Sequence, residues 1–265
     1  MTLGTIMSFK KTIGLMAIIS CFCVTVGAQN NNASNHVVNG KYFHEFAALK
    51  QKKSQDQKYL VASAYEMPLL FSMIKKLSEK LKIDQPCYVY FITKPEDDGY
   101  NAVEAAGDLN ENFQTLTFLF IGEGAFETLS DEQFEAIMAH ELSHIKNDHY
   151  TKGLKLELGL IALNALTWAG FILNQANLAY PILISLGSLL GVLAYSRSCE
   201  READHDAARV IDNPNDLGDA LRALHNRNNT PLEQILLKYI DFTHPSVHER
   251  EAYLAKMAQA KQISS

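Results

Sequence analysis

Two histidines enclose a glutamate in the run His140-Glu141-Leu142-Ser143-His144. On an α-helix, residues four apart return to nearly the same face, so both imidazoles can reach one metal ion. Glu141 is rotated by about 100° from His140, which puts its carboxylate beside the ion and not on it. From there it can take a proton from attacking water and later hand it to a leaving amine. The ion supplies what a bare carboxylate cannot: it lowers the pKa of bound water from about 15.7 toward about 7 and polarises a carbonyl. The chemistry of such a set is metal-assisted hydrolysis of an amide bond. Exposed helices carry the same five residues by chance with two solvated histidines, so the reading depends on a third ligand elsewhere.

His149 lies five residues past His144, about 140° off the ligand face if the helix continues. The extension with Gly and a later His that some zinc peptidases use is missing here. In Glu200-Arg201-Glu202-Ala203-Asp204, Glu200 and Asp204 share a helix face. One can bind metal while the other accepts the free N–H of a ligand histidine. Glu200 is the expected third ligand, Asp204 the orienting partner, and Glu202 a solvated charge. Cys199 would also suit zinc. One Zn²⁺ per chain is expected.

The elements that must position these residues are mainly helical. The text from Tyr42 to about Leu81 reads as mostly helical, with Leu69, Leu70, Phe71, Ile74, Leu77 and Leu81 at helical spacing. Cys87 to Thr93 and Phe113 to Ile121 read as strands, and 101–110 as a loop or short edge strand. Ser130 with Gln133 forms a capping-box signature ahead of the motif helix. A polar helix with Glu200 runs from about Ser198 to Ile211, and Asn213-Pro214-Asn215 stops it. The last helix spans Val247 to Ala260.

Four blocks carry a resemblance to the HtpX and CAAX-prenyl-protease group of zinc metallopeptidases: Asn101-Ala102, Ser130 to His149, Ser196 to Asp204, and Thr243 to Arg250. In layout the chain is similar to exported BepA-like members without their helical repeat domain. The resemblance implies an α+β fold, mainly α with a small sheet: a thermolysin-like core with an apolar helical hairpin between the second His and the third ligand. It implies hydrolysis of internal peptide bonds in protein substrates, with quality control of envelope or membrane-associated proteins as the expected role. Asn101 and Ala102 would lie on an edge that pairs with extended substrate. His244 would stabilise the oxyanion, and Arg250 would fix local structure or the substrate. The contrasting expectation is an assembly or chaperone-like factor with a structural zinc, whose site would be closed by a fourth protein ligand.

Export is expected from Lys10-Lys11, the apolar stretch Thr12 to Val26 and the small pair Gly27-Ala28. Residues 1–28 read as a signal peptide, with an anchor helix or lipidation at Cys21 as alternatives, and 29–265 as the peptidase domain. This places the enzyme in the periplasm, associated with the membrane. Cys87 and Cys199 read as isolated small residues, although a disulfide between them stays open. The apolar block 158–195 falls into Leu158 to Leu173 and Leu178 to Tyr195, at or just below the roughly 20 residues that span a bilayer, so membrane contact is expected over a full span. Lys152, Lys155 and Arg197 flank it and pull the other way in orientation, but the first apolar segment usually decides. With a net charge of −6 over 265 residues and no basic stripe, nucleic acid is not an expected partner.

Overall fold

Ser130 starts the helix on which the fold is arranged. Its hydroxyl accepts the backbone N–H of Gln133, whose side chain in turn accepts the Ser130 N–H. This capping box, with Asp131 and Glu132 in the first turn, satisfies N–H groups that no helical carbonyl can reach. The computed structural model describes residues 40–53, 59–84, 87–94, 102–109, 115–174, 177–228 and 244–264. The signal or anchor segment, Cys21 and Asn101 lie outside the described residues.

In chain order the elements are α1 (Lys41–Lys52), β1 (Tyr59–Val61), α2 (Pro68–Leu81), β2 (Cys87–Ile92), β3 (Val103–Leu109) and β4 (Thr115–Gly122). They continue with α3 (Glu123–Thr128), α4 (Asp131–Lys146), α5 (His149–Asn174), α6 (Ala179–Val210), α7 (Asn215–Asn228) and α8 (Val247–Ser264). The architecture is mainly α with one small four-stranded sheet in the order β1-β2-β4-β3, as the sequence led us to expect. β2 and β4 run parallel, and β1 and β3 pair antiparallel at the two edges.

Strand alternation gives the sheet a core face of Val89, Phe91, Leu119 and Ile121. Tyr88, Tyr90, Phe118 and Phe120 lie on the opposite face, where their rings pack against one another. An aromatic stack ties the first helices to the motif helix: Phe46 on Phe126 at 4.9 Å and Phe126 on Phe134 at 4.7 Å, with Tyr42 against Phe134. α4 therefore sits in the middle of the core, with nine of its residues buried, and its ligand face cannot tilt without disturbing every layer.

Two expectations about elements are corrected. The stretch from Tyr42 to Leu81 is interrupted by β1, because Tyr59, Leu60 and Val61 pair along the outer edge of β2. Also, the apolar segment after 178 and the polar helix with Glu200 form one continuous helix, α6, of 32 residues, about 48 Å long. Pro181 does not break it because it lies in the first turn, where its missing N–H has no helical acceptor. Ser130→Ala should cost about 1 kcal/mol of stability, read as a lower denaturation midpoint with metal content unchanged.

Candidate metal centre

α4 presents His140 and His144 on one face with their Nε2 atoms 3.1 Å apart. α6 crosses this face and brings Glu200 to both. Its Oε2 lies 3.4 Å from His140 Nε2, and its Oε1 lies 3.5 Å from His144 Nε2. One donor atom from each of the three residues falls within 4.8 Å of the other two. Two imidazole nitrogens and a carboxylate are the donors zinc prefers, and their mutual spacing suits ligands of one small ion. Zinc is therefore a fitting occupant.

Glu141 stands aside from this cluster. Its Oε1 is 4.0 Å from His140 Nε2, while Oε2 accepts the Ala105 N–H at 2.7 Å. The backbone alternation of β3 explains that bond. Gly122 N–H donates to the Ala102 carbonyl at 2.8 Å, so in an antiparallel pair the even residues of β3 face β4 and Val103, Ala105 and Gly107 face outward. The Ala102 carbonyl is thus turned into the sheet, and Ala105 is the β3 residue whose outward N–H meets α4 through Glu141.

His140 Nδ1 lies 2.9 Å from Asp204 Oδ1, which fixes the ring with Nε2 toward the cluster. Asp204 is fully buried. Arg250 of α8 donates to both of its oxygens, at 2.6 and 2.8 Å, and reaches Glu200 Oε2 at 3.0 Å. Tyr253, one turn further along α8, also donates to Asp204. Arg250 is 5% exposed and its guanidinium is committed to these carboxylates. Of the two roles expected for Arg250, these contacts are those of the one that fixes local structure: it clamps the site from behind. Ser246 caps α8 through the Glu249 N–H, and His244 Nε2 stands 3.6 Å from Glu200 Oε1.

Other sequence expectations change as well. Glu202 is exposed, as expected of a solvated charge, but it also bonds His149 at 3.2 Å, and His149 is buried against His144. The helix does not continue from His144 to His149, so the angular argument that set His149 aside does not apply. Tyr253 was missed, although its spacing from Arg250 puts both on one face of α8. Cys199 is buried and Cys87 partly so, and both are free thiols.

The electrostatics are those of a cation site. Burial works against ionised Glu200, yet His140, Arg250 and His244 hold its carboxyl well below the usual range. Burial likewise opposes Asp204, and Arg250 and His140 bring it to about 2. Burial lowers the His140 imidazole, but hydrogen bonds to Asp204 and Glu200 outweigh it and raise the pKa to about 10. His144, buried beside His140, falls to about 3. Burial pushes Glu141 up to about 7, with Glu200 adding to the rise and His140 opposing it.

A mainly helical domain whose buried helix pair gathers donors of this kind has the makings of a metal-binding protein. Sequence comparison narrows the class. The family model of peptidase family M48 matches residues 70–258, and the chain belongs to that family; it is a metalloprotease. It is similar to the protease HtpX homolog of Thermodesulfovibrio yellowstonii, 26% identical over 302 residues that cover 94% of this chain and 98% of that protein. The protease HtpX homolog of Polynucleobacter necessarius is 25% identical over 301 residues, covering 95% and 96%. The crystal structure of S. mikatae Ste24p superposes with a TM-score of 0.45 and 17% identity, over 80% of this chain and 55% of that one.

Purified protein should hold one zinc per chain by elemental analysis. His140→Ala, His144→Ala and Glu200→Ala should each lose most of it; full zinc content in Glu200→Ala would remove Glu200 from the ligand set.

Proposed function

We propose that the chain is a zinc-dependent endopeptidase in which His140, His144 and Glu200 hold the ion and Glu141 is the general base. The observation that carries this reading is a Glu141 carboxylate held beside three converging donors without joining them. A structural zinc would be closed by a fourth protein ligand, as the assembly-factor reading requires. Among the described residues the cluster has three members, which supports an open catalytic position.

Bound zinc would supply Lewis acidity, making water nucleophilic near neutral pH and polarising the scissile carbonyl. The residues do the rest. The Ala105 N–H holds one Glu141 oxygen, so the other stays turned toward the cluster to take the proton of the attacking water. The same group can then release that proton to the leaving amine. An extended substrate can add along the outward positions of β3, where backbone pairing aligns its peptide bond with Glu141. His244 is the proposed donor to the developing oxyanion, a role supported by its partial exposure, 37% of its side chain, beside Glu200.

Envelope and membrane-associated proteins are the proposed substrates, with quality control the proposed role. α5 and α6 are both long and apolar enough to cross a membrane, and residues such as Leu166, Ile172, Leu173 and Leu183 are well exposed on them. The hairpin leaves the catalytic domain and returns to it, which supports insertion into the bilayer from the side on which the domain lies. Residues 1–28, read as an export signal, support the periplasm as that side.

Glu141→Gln should retain zinc and its melting temperature while kcat falls by about 10²- to 10⁴-fold. Loss of zinc in this variant would argue against a base that stands outside the ligand set. For orientation, reporters fused after Asn35 and at the C-terminus should be active only as periplasmic enzymes; cytoplasmic activity from both would overturn the placement.

A further inference from the structure

The two candidate histidine ligands are oriented by different partners. His140 is held by Asp204. The Nδ1 of His144 lies instead 2.9 Å from the Nδ1 of His149, and the Nε2 of His149 lies 3.2 Å from Glu202 Oε2. A ring that ligates through Nε2 carries its proton on Nδ1. Two Nδ1 atoms at hydrogen-bonding distance share one proton, so His149 Nδ1 must accept it. The remaining proton of His149 then sits on Nε2, facing the Glu202 carboxylate. Each group in the chain Glu202, His149, His144 thus has one defined state.

The backbone is bent to make this contact. α4 ends at Lys146, Asn147 has φ −87° and ψ 1°, and Asp148 takes φ 51°. Left-handed backbone is strained for residues with a side chain, although Asp and Asn adopt it more readily than most. The helix then restarts at His149, with the Lys152 N–H donating to the Asp148 carbonyl. The bend turns the buried His149 ring against His144, with centroids 4.9 Å apart and planes at 76°.

We propose that His149 is a positioning residue for His144: by accepting its Nδ1 proton it keeps the Nε2 lone pair on the metal, and Glu202 holds His149 in the accepting tautomer. The proposal rests on the zinc-ligand reading above. Glu202 is 57% exposed on its side chain, so water replaces it more readily than it replaces His149.

Asparagine separates a positioning role from simple packing. Its Oδ1 is attached to Cγ as Nδ1 is in histidine, so His149→Asn keeps an acceptor at that place. His149→Leu fills the space with none. The test uses the full-length protein in detergent, with Zn²⁺ affinity from chelator competition, the visible spectrum of the Co²⁺-loaded form, and melting of the metal-free form. His149→Leu should bind Zn²⁺ about 10- to 100-fold more weakly and shift the Co²⁺ bands, with metal-free melting unchanged. His149→Asn should restore affinity and spectrum to near wild type, and Glu202→Gln should lose only a few-fold. Should the Leu variant unfold, His149→Ala replaces it in the comparison with Asn. Wild-type affinity in the variant without an acceptor, or an Asn variant as weak as it, overturns the proposal and leaves the ligand set standing. A wild-type protein that binds no Zn²⁺ removes the ligand set as well.

Discussion

The buried guanidinium of Arg250 is the interaction on which the rest of the site depends. Glu200 and Asp204 stand one helical turn apart on α6, both buried, and two ionised carboxylates so placed repel each other with little water to screen them. Arg250 contacts both. It neutralises part of that charge and fixes where the carboxylates point, and they in turn reach His140 and His144. Three helices distant in sequence are thereby braced through one charged group. Breaking a buried pair by removing one partner typically costs about 3–5 kcal/mol, because the remaining charges are left without compensation. The net electrostatic balance is nonetheless incomplete: one cation faces two anions, and the residual negative field is directed at the histidine pair.

That arrangement explains which parts of the site were legible in the sequence. Local spacing was informative wherever the chemistry is local. The pair His140 and His144, the capping box at Ser130 and the one-turn relation of Glu200 to Asp204 all follow from helical periodicity. The two central strands, β2 and β4, could be read from their β-branched and aromatic residues. β1 could not, because a three-residue edge strand inside Lys- and Gln-rich text has no pattern of its own and forms only through its partner. The unity of α6 was hidden by a change of composition at Tyr195. Composition marks where the surroundings of a helix change, and here the backbone continues straight through.

The missed roles share another cause. Arg250 looked equally suited to substrate or scaffold until its burial against two carboxylates was known. His149 was set aside on a helix angle that holds only if the backbone continues regularly, and Asp148 breaks it with a single left-handed residue. Glu202 then acquires a partner that no spacing rule would supply. Polar residues whose function depends on what another element brings to them are the least visible in one dimension.

The continuity of α6 bears on how the protein comes into being. Glu200 lies downstream of the whole apolar hairpin, whereas the two histidines precede it. A chain that has formed only α4 still lacks the third donor, because α5 and the apolar half of α6 lie between them. The donor set is completed only once the hairpin has doubled back and α6 has docked. On the proposed ligand set, a chain whose hairpin has not settled holds two of its three donors, and its hydrolytic competence waits on the membrane-facing part of the fold.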